Sequence, residues 1–138
     1  MNDQIIDPSW NFHHLGVASR SIEKDAAVWA DLGYSIEGDV FADQTQGIRG
    51  LFLTGPGPRL ELLEDLPDRN TVAPWIEKGV KIYHTAYEVG DMDAQIARLV
   101  QRRARVVVEP VPAIAFNNRK ICFLMLKNLT LIELIEAE

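Results

Sequence analysis

Hydrophobic positions recur along this chain in two rhythms. FHHLGVA, from Phe12, and IYHTAYEV, from Ile82, alternate between two faces with the period of two that a β-strand requires. Each is followed by helical spacing: Ile22, Ala26, Trp29 and Leu32 form one apolar stripe, and Met92, Ile96, Leu99 and Val100 form another. Ser21 and Asp91 stand just before these stripes, placed as N-caps whose side-chain oxygens accept from first-turn N–H groups. Strand patterns resume at roughly Tyr34–Ala42, Gly47–Leu53 and Arg59–Glu64, and again at Arg105–Glu109, Arg119–Leu126 and Thr130–Glu136. Between the halves, Asp65–Lys81 is punctuated by Pro67, Pro74 and Gly79, and TVAPWIEK predicts a short connecting helix.

The halves are copies of one pattern. Setting His14 on His84, 70 residues apart, brings Ser21 onto Asp91 and Ile22 onto Met92; RLELLE at 59–64 matches LIELIE at 131–136 with a spacing of 72. The predicted fold class is α+β: two βαβββ modules, about 11–64 and 82–136, joined by a linker at 65–81 in one domain spanning 1–138. Two half-open sheets related by a pseudo-twofold axis predict a cupped mixed sheet around a central site.

Such an axis brings equivalent residues together, which pairs His14 with His84 and Glu61 with Glu133. Alternation puts His14 on a face with Gly16 and Ala18, and His84 on a face with Ala86 and Glu88, with Tyr83 on the opposite side. The small residues are expected to leave room for exchange at the site. Glu61 and Glu133 are flanked by leucines and isoleucine that can pack beneath the helices while the carboxylates point into the cup. A carboxylate among apolar side chains is costly unless paired or bound to a cation. Two imidazoles and two carboxylates suit one divalent metal ion, with zinc, cobalt or nickel as candidates. The alternative leaves the histidines structural, Glu61 paired with Arg59 or Arg49, and Glu133 paired with Lys120.

Composition narrows the partners. The net charge of −6 disfavours a phosphate-backbone ligand, so no nucleic acid is expected, and Arg102, Arg103 and Arg105 read as a solvated helix end. The longest apolar run, Ile121–Leu126, is far shorter than the roughly 20 residues that span a bilayer, so no membrane partner is expected either. The first ten residues, MNDQIIDPSW, carry acids where a signal peptide carries bases; they read as a mobile lead-in to a cytoplasmic protein. Cys122 is the only cysteine, which excludes an intrachain disulfide and a cysteine-rich zinc site. No Gly-rich phosphate loop or nucleophile elbow is present. Arg119 and Lys120, after two asparagines at the start of a strand, are candidates to bind an anionic group of a small-molecule substrate.

HHLGVAS, QGIRGLFL, RLELLEDL, TVAPWIEK and YHTAYEV, in this order, resemble the vicinal oxygen chelate superfamily, and within it the methylmalonyl-CoA epimerase-like branch. The resemblance covers about Asn11 to Glu136 and implies His14, Glu61, His84 and Glu133 as metal ligands. It implies a metal-dependent epimerase or isomerase that moves a proton beside a substrate carbonyl, with an acyl-CoA among the candidate substrates. Glu133 is the first candidate base and Glu61 the second, with Glu88 as a further carboxylate at the rim. Many epimerases of this branch carry glutamine where this chain has Glu61, whereas bacterial glyoxalase I carries glutamate. A glyoxalase I-type lactoylglutathione lyase is therefore the alternative, followed by a non-catalytic binding module; an extradiol dioxygenase ranks lower because Glu61 occupies its ligand-free position. The long linker lets one chain close both halves around a single site, which favours the epimerase-like organisation; a homodimer is left open. AIAFNNRK and FLMLKNLTLIEL lack the glycine-rich and His-Pro loops of many epimerases, so the substrate pocket is expected to differ.

Overall fold

The computed structural model describes residues 10–138. Apart from Trp10, the predicted lead-in lies outside the described residues. The chain runs β1 (Asn11–Ala18), α1 (Ile22–Ala30), β2 (Ser35–Asp43), β3 (Ile48–Thr54), β4 (Leu60–Asp65), α2 (Ala73–Glu77), β5 (Ile82–Val89), α3 (Met92–Gln101), β6 (Arg105–Pro112), a 3-10 turn (Ile114–Phe116), β7 (Lys120–Met125) and β8 (Leu131–Glu136). This is the predicted order, with β6 extended by three residues beyond its expected end. No helix among the described residues is long and apolar enough to cross a membrane.

All eight strands form one sheet in the order β2-β3-β4-β1-β5-β8-β7-β6. β1 and β5 meet antiparallel at the centre, and each has the last strand of its own module beside it in parallel: β4 beside β1, β8 beside β5. A parallel neighbour needs a crossover, which in each module includes the helix and two further strands. The helices cover the convex face. Val17 and Leu15 pack with Ile22, Ala26 and Trp29 of α1, while Val89 and Tyr87 pack with Met92, Ile96 and Leu99 of α3.

Both predicted caps form: Ser21 Oγ accepts from the Lys24 N–H at 3.2 Å, and Asp91 Oδ1 from the Ala94 N–H at 3.2 Å. The stripes are shorter than expected. Leu32 lies past the end of α1 and is exposed, because the chain leaves the helix through Gly33 at φ +97°, a conformation open to glycine. Val100, within α3, is also exposed.

The linker is tied back to the first module by one carboxylate. Asp65 Oδ1 accepts from the N–H groups of Thr71 and Val72 at 2.9 and 2.7 Å, and Oδ2 from Ala73 at 3.0 Å. Val72 precedes α2 without a side-chain cap of its own, so Asp65 supplies the acceptor from a distance in sequence. Hydrogen bonds to a charged group are worth about 1.5–3 kcal/mol each, and their losses overlap at one site. Asp65→Ala is therefore expected to lower unfolding free energy by about 2–3 kcal/mol in urea titrations, with the far-UV spectrum of the folded state retained.

Candidate metal centre

The seam between β1 and β5 assembles the four predicted residues. Gly16 pairs with His84 across the seam and with Glu61 on β4; Ala86 pairs with His14 and with Glu133 on β8. Two rows therefore cross the sheet: Phe52, Glu61, Gly16, His84, and Phe123, Glu133, Ala86, His14. They are images of one another under the pseudo-twofold relation. Alternate side chains of a strand share a face, so these residues point into the cup together.

His14, Glu61, His84 and Glu133 are all buried, and one ligand atom from each lies within 4.8 Å of the others. His14 Nε2 is 3.0 Å from Glu61 Oε1, 3.3 Å from Glu133 Oε1 and 3.3 Å from His84 Nε2. His84 Nε2 is 3.3 Å from Glu133 Oε1. A shell with metal–ligand bonds of about 2.0–2.1 Å has edges of about 3.3 Å if tetrahedral and about 3.0 Å if octahedral. The four separations fall on those edges. Glu133 Oε1 is buried without a hydrogen bond of acceptable angle despite two imidazole nitrogens nearby. Among the described residues no Arg or Lys neutralises either glutamate: Arg49 pairs with Glu23 and Glu64, and Arg59 with Glu37. The donor set, its convergence and the orphaned oxygen fit a divalent cation.

Without a metal, a proton takes the cation's role. Burial alone favours neutral imidazole, but Glu61 and Glu133 outweigh it and raise His14 from 6.5 to about 9. Burial likewise opposes ionisation of Glu133, and the two histidines reverse the balance, holding it below the usual carboxylate range. The group raised in the folded state contributes stability below 6.5, and this is lost as pH rises through about 9. The metal-free protein is thus expected to show a falling melting temperature between pH 6.5 and 9. A pH-independent melting temperature across that interval, in the presence of a chelator, would contradict this charge arrangement.

Gly16 has a sharper role than leaving space for exchange. A Cβ at Gly16 would lie 2.0 Å from His84 Cε1, so the imidazole fills the volume that a side chain would take. Gly16→Ala is expected to rotate His84 out of the cluster and weaken zinc affinity by about 100-fold, the scale of losing a well-oriented ligand. Ala86→Gly, at the symmetry-related position, should change affinity less than fivefold, read by competition with a chromophoric chelator.

Tyr83 corrects the alternation. It was expected on the opposite face, yet its ring stacks edge-on to His84 at 4.6 Å and borders the same cavity as Glu61 and Glu133. The cause is a β-bulge: Gly16 pairs with His84 but Val17 with Ile82, leaving Tyr83 as the extra residue. β1 carries the counterpart at His13, between the Phe12–Tyr87 and His14–Ala86 pairs. His13 Nδ1 lies 2.8 Å from His14 Nδ1, and its Nε2 lies 3.2 Å from Arg59 Nη1, so its ring sits between His14 and a guanidinium. Burial, then His14 and Arg59, lowers the His13 pKa to about 4, keeping the ring neutral. Sequence reasoning missed His13, and also Phe52 and Phe123, whose rings meet His14 and His84 edge-on at 5.5 and 5.0 Å. The signal for the phenylalanines was available, since they occupy equivalent repeat positions.

The predicted anion contacts lie elsewhere. Arg119 Nη1 donates to Glu88 Oε2 at 2.7 Å and to the Glu136 carbonyl at 3.0 Å, and its Nε donates to the Phe116 carbonyl at 3.2 Å. It clamps the 3-10 turn to β5 and β8 and occupies Glu88, the expected rim carboxylate. Lys120 is exposed and borders a different cleft, beside Asp91, Asp93 and Glu136. Neither cation lines the cavity that opens at Glu61 and Glu133.

Comparison with known proteins agrees with this architecture. The glyoxalase/bleomycin resistance protein/dioxygenase superfamily profile matches residues 13–123. The chain belongs to that superfamily. Within the superfamily, it is 30% identical over 117 residues to the ethylmalonyl-CoA/methylmalonyl-CoA epimerase of Cereibacter sphaeroides, covering 81% of this chain and 85% of that protein. Its structure resembles methylmalonyl-CoA epimerase from Mycobacterium tuberculosis with a TM-score of 0.76 and 28% identity, over 92% of this chain and 87% of the other. A hypothetical protein from Bacillus halodurans gives 0.80 and 26%, over 94% and 96%. These similarities bear out the superfamily, its epimerase-like branch and the cupped α+β fold.

Proposed function

We propose that this protein is a metal-dependent epimerase of acyl-CoA thioesters, with His14, Glu61, His84 and Glu133 as its metal ligands. The observation that carries the reading is the buried two-histidine, two-glutamate cluster, with facing atoms 3.0–3.3 Å apart, beside a cavity large enough for an acyl group. The similarity to epimerases supports the reaction class. A divalent ion held by these residues supplies Lewis-acid polarisation of a substrate carbonyl oxygen, which acidifies the neighbouring carbon.

The chain's own groups then handle the proton. Glu133 and Glu61 both border the cavity, so either carboxylate oxygen can face a substrate carbon there. Glu133 takes the proton from the carbon beside the carbonyl, and Glu61 is the candidate to return one on the opposite face, inverting that centre. The low proton affinity of Glu133 in the metal-free cluster comes from His14 and His84. Phe52, Phe116 and Phe123 wall the cluster with apolar rings, excluding water from the carbanion-forming step.

Glutamate at position 61 favours a second reading, the glyoxalase I-type lyase, which uses the same proton movement on a glutathione hemithioacetal. Against it, His14, Glu61, His84 and Glu133 converge within one chain, an arrangement that the long linker permits. Glu133→Gln separates ligation from proton transfer, because glutamine keeps an oxygen donor but cannot act as a base. The variant is expected to retain metal and lose deuterium exchange at the substrate's acidic carbon by about 10²–10⁴-fold. Exchange at the wild-type rate with metal bound would remove Glu133 from the mechanism; exchange confined to hemithioacetals would favour the lyase.

A further inference from the structure

The cup divides into two spaces, and only one of them opens at the glutamates. That space is a cavity of about 550 Å³ bordered by Glu61 and Glu133 and walled by Phe41, Leu63, Trp75, Tyr83, Phe123 and Met125. Its ionised lining groups are all acidic, the two glutamates and Glu109, with no lysine or arginine among them. Trp75 and Tyr83 stack at 5.6 Å with their planes 27° apart, forming one continuous aromatic wall. Arg59 and Arg119 border a smaller recess of about 220 Å³, together with the neutral His13 and with Glu37, which pairs with Arg59. Phe116 lines both spaces and stands between them.

An anionic substituent in the larger cavity would lose hydration, and the charged side chains it would meet are all carboxylates, with the neutral Thr45, Gln46 and Thr71 as polar company. A methyl group beside the thioester would fill only a small part of that volume, since cavities of roughly 300–1,000 Å³ enclose whole drug-sized molecules. We propose that this cavity selects substrates whose reacting carbon carries an uncharged hydrophobic substituent much larger than methyl, a medium-length alkyl chain or an aryl group. The inference deepens the proposed function by naming the substrate class, and depends on the acyl-CoA reading only for the rest of the molecule.

Hydroxamic acids test the cavity without CoA, because R–CO–NHOH presents two neighbouring oxygens to a metal and carries R as the variable group. Zinc-loaded protein is titrated calorimetrically with R as methyl, butyl, benzyl and ω-carboxybutyl. Butyl and benzyl are expected to bind about 50-fold tighter than methyl, from roughly fourfold per buried methylene. The ω-carboxybutyl compound should show no gain over methyl. Met125→Arg, which sets a cation on the cavity wall, should reduce the butyl gain below about fivefold and improve ω-carboxybutyl binding. Binding that is flat from methyl to benzyl, or equal for butyl and ω-carboxybutyl, would overturn the proposal even if the variant failed to fold.

The matching primary amides, R–CO–NH2, repeat the ranking in metal-free protein through quenching of Trp75 emission, with Trp75→Phe as the control. Absence of that ranking there and with hydroxamates would overturn the cavity assignment. Size-dependent binding without proton exchange on any acyl-CoA would uphold the cavity and end the epimerase reading. Proton exchange on methylmalonyl-CoA with no size dependence would do the reverse.

Discussion

Two carboxylates and two imidazoles, buried with one atom of each within 4.8 Å of the others at the β1–β5 seam, impose the condition that the surrounding structure satisfies. Withdrawing two glutamates from water is costly by several kcal/mol per ion unless a positive charge accompanies them. No lysine or arginine among the described residues pairs with either glutamate; Arg49, Arg59 and Arg119 are engaged with Glu23, Glu64, Glu37 and Glu88. The site therefore holds a cation of its own, a proton on His14 or a metal ion in its place. Gly16, the paired bulges and the edge-on phenylalanines serve that arrangement by fixing where the rings lie.

Duplication explains how such a cluster can be built economically from strands. One histidine and one glutamate per module suffice, because the axis between β1 and β5 brings the two sets into crossed rows. The modules then diverge where symmetry has no use. His13 and Tyr83 occupy matching bulges, yet His13 contacts Arg59 and Phe116 at the smaller recess while Tyr83 stacks on Trp75 in the apolar cavity. The linker helix α2 exists on one side only and supplies that tryptophan. A symmetric histidine–glutamate cluster thus sits between two unlike walls.

Closure of the cup depends on contacts across the modules. Asp43, buried at the end of β2, accepts from Ile114 N–H at 3.1 Å and from the side chain of Gln46 at 2.9 Å. It holds the 3-10 turn of the second module against an edge strand of the first. Arg119 secures the same turn from the other side through Glu88 and the Phe116 carbonyl. Phe116 is consequently kept beside His14, with ring centroids 6.1 Å apart, where it separates the two spaces. Arg119, the candidate for anion binding, is thereby part of the frame that positions an apolar partition.

The residue order by itself determined the two modules, their strand and helix sequence, both helix caps and the four residues that converge. These follow from local periodicity and from polar residues recurring at equivalent positions, and neither depends on knowing which strands pair. The bulges belong to the tertiary structure, because the β1–β5 register decides which residue is extra, and that moved Tyr83 into the cavity and brought His13 beside His14. The fate of Arg119 was likewise decided by residues 31 positions back and 17 ahead, Glu88 and Glu136, which alternation along one strand cannot bring into view. The cavity itself is assembled from β2, β3, β4, α2, β5, β6, β7 and β8 and from the 3-10 turn. Its apolar character is a sum over side chains that are distant in the chain, so only the folded sheet could reveal it.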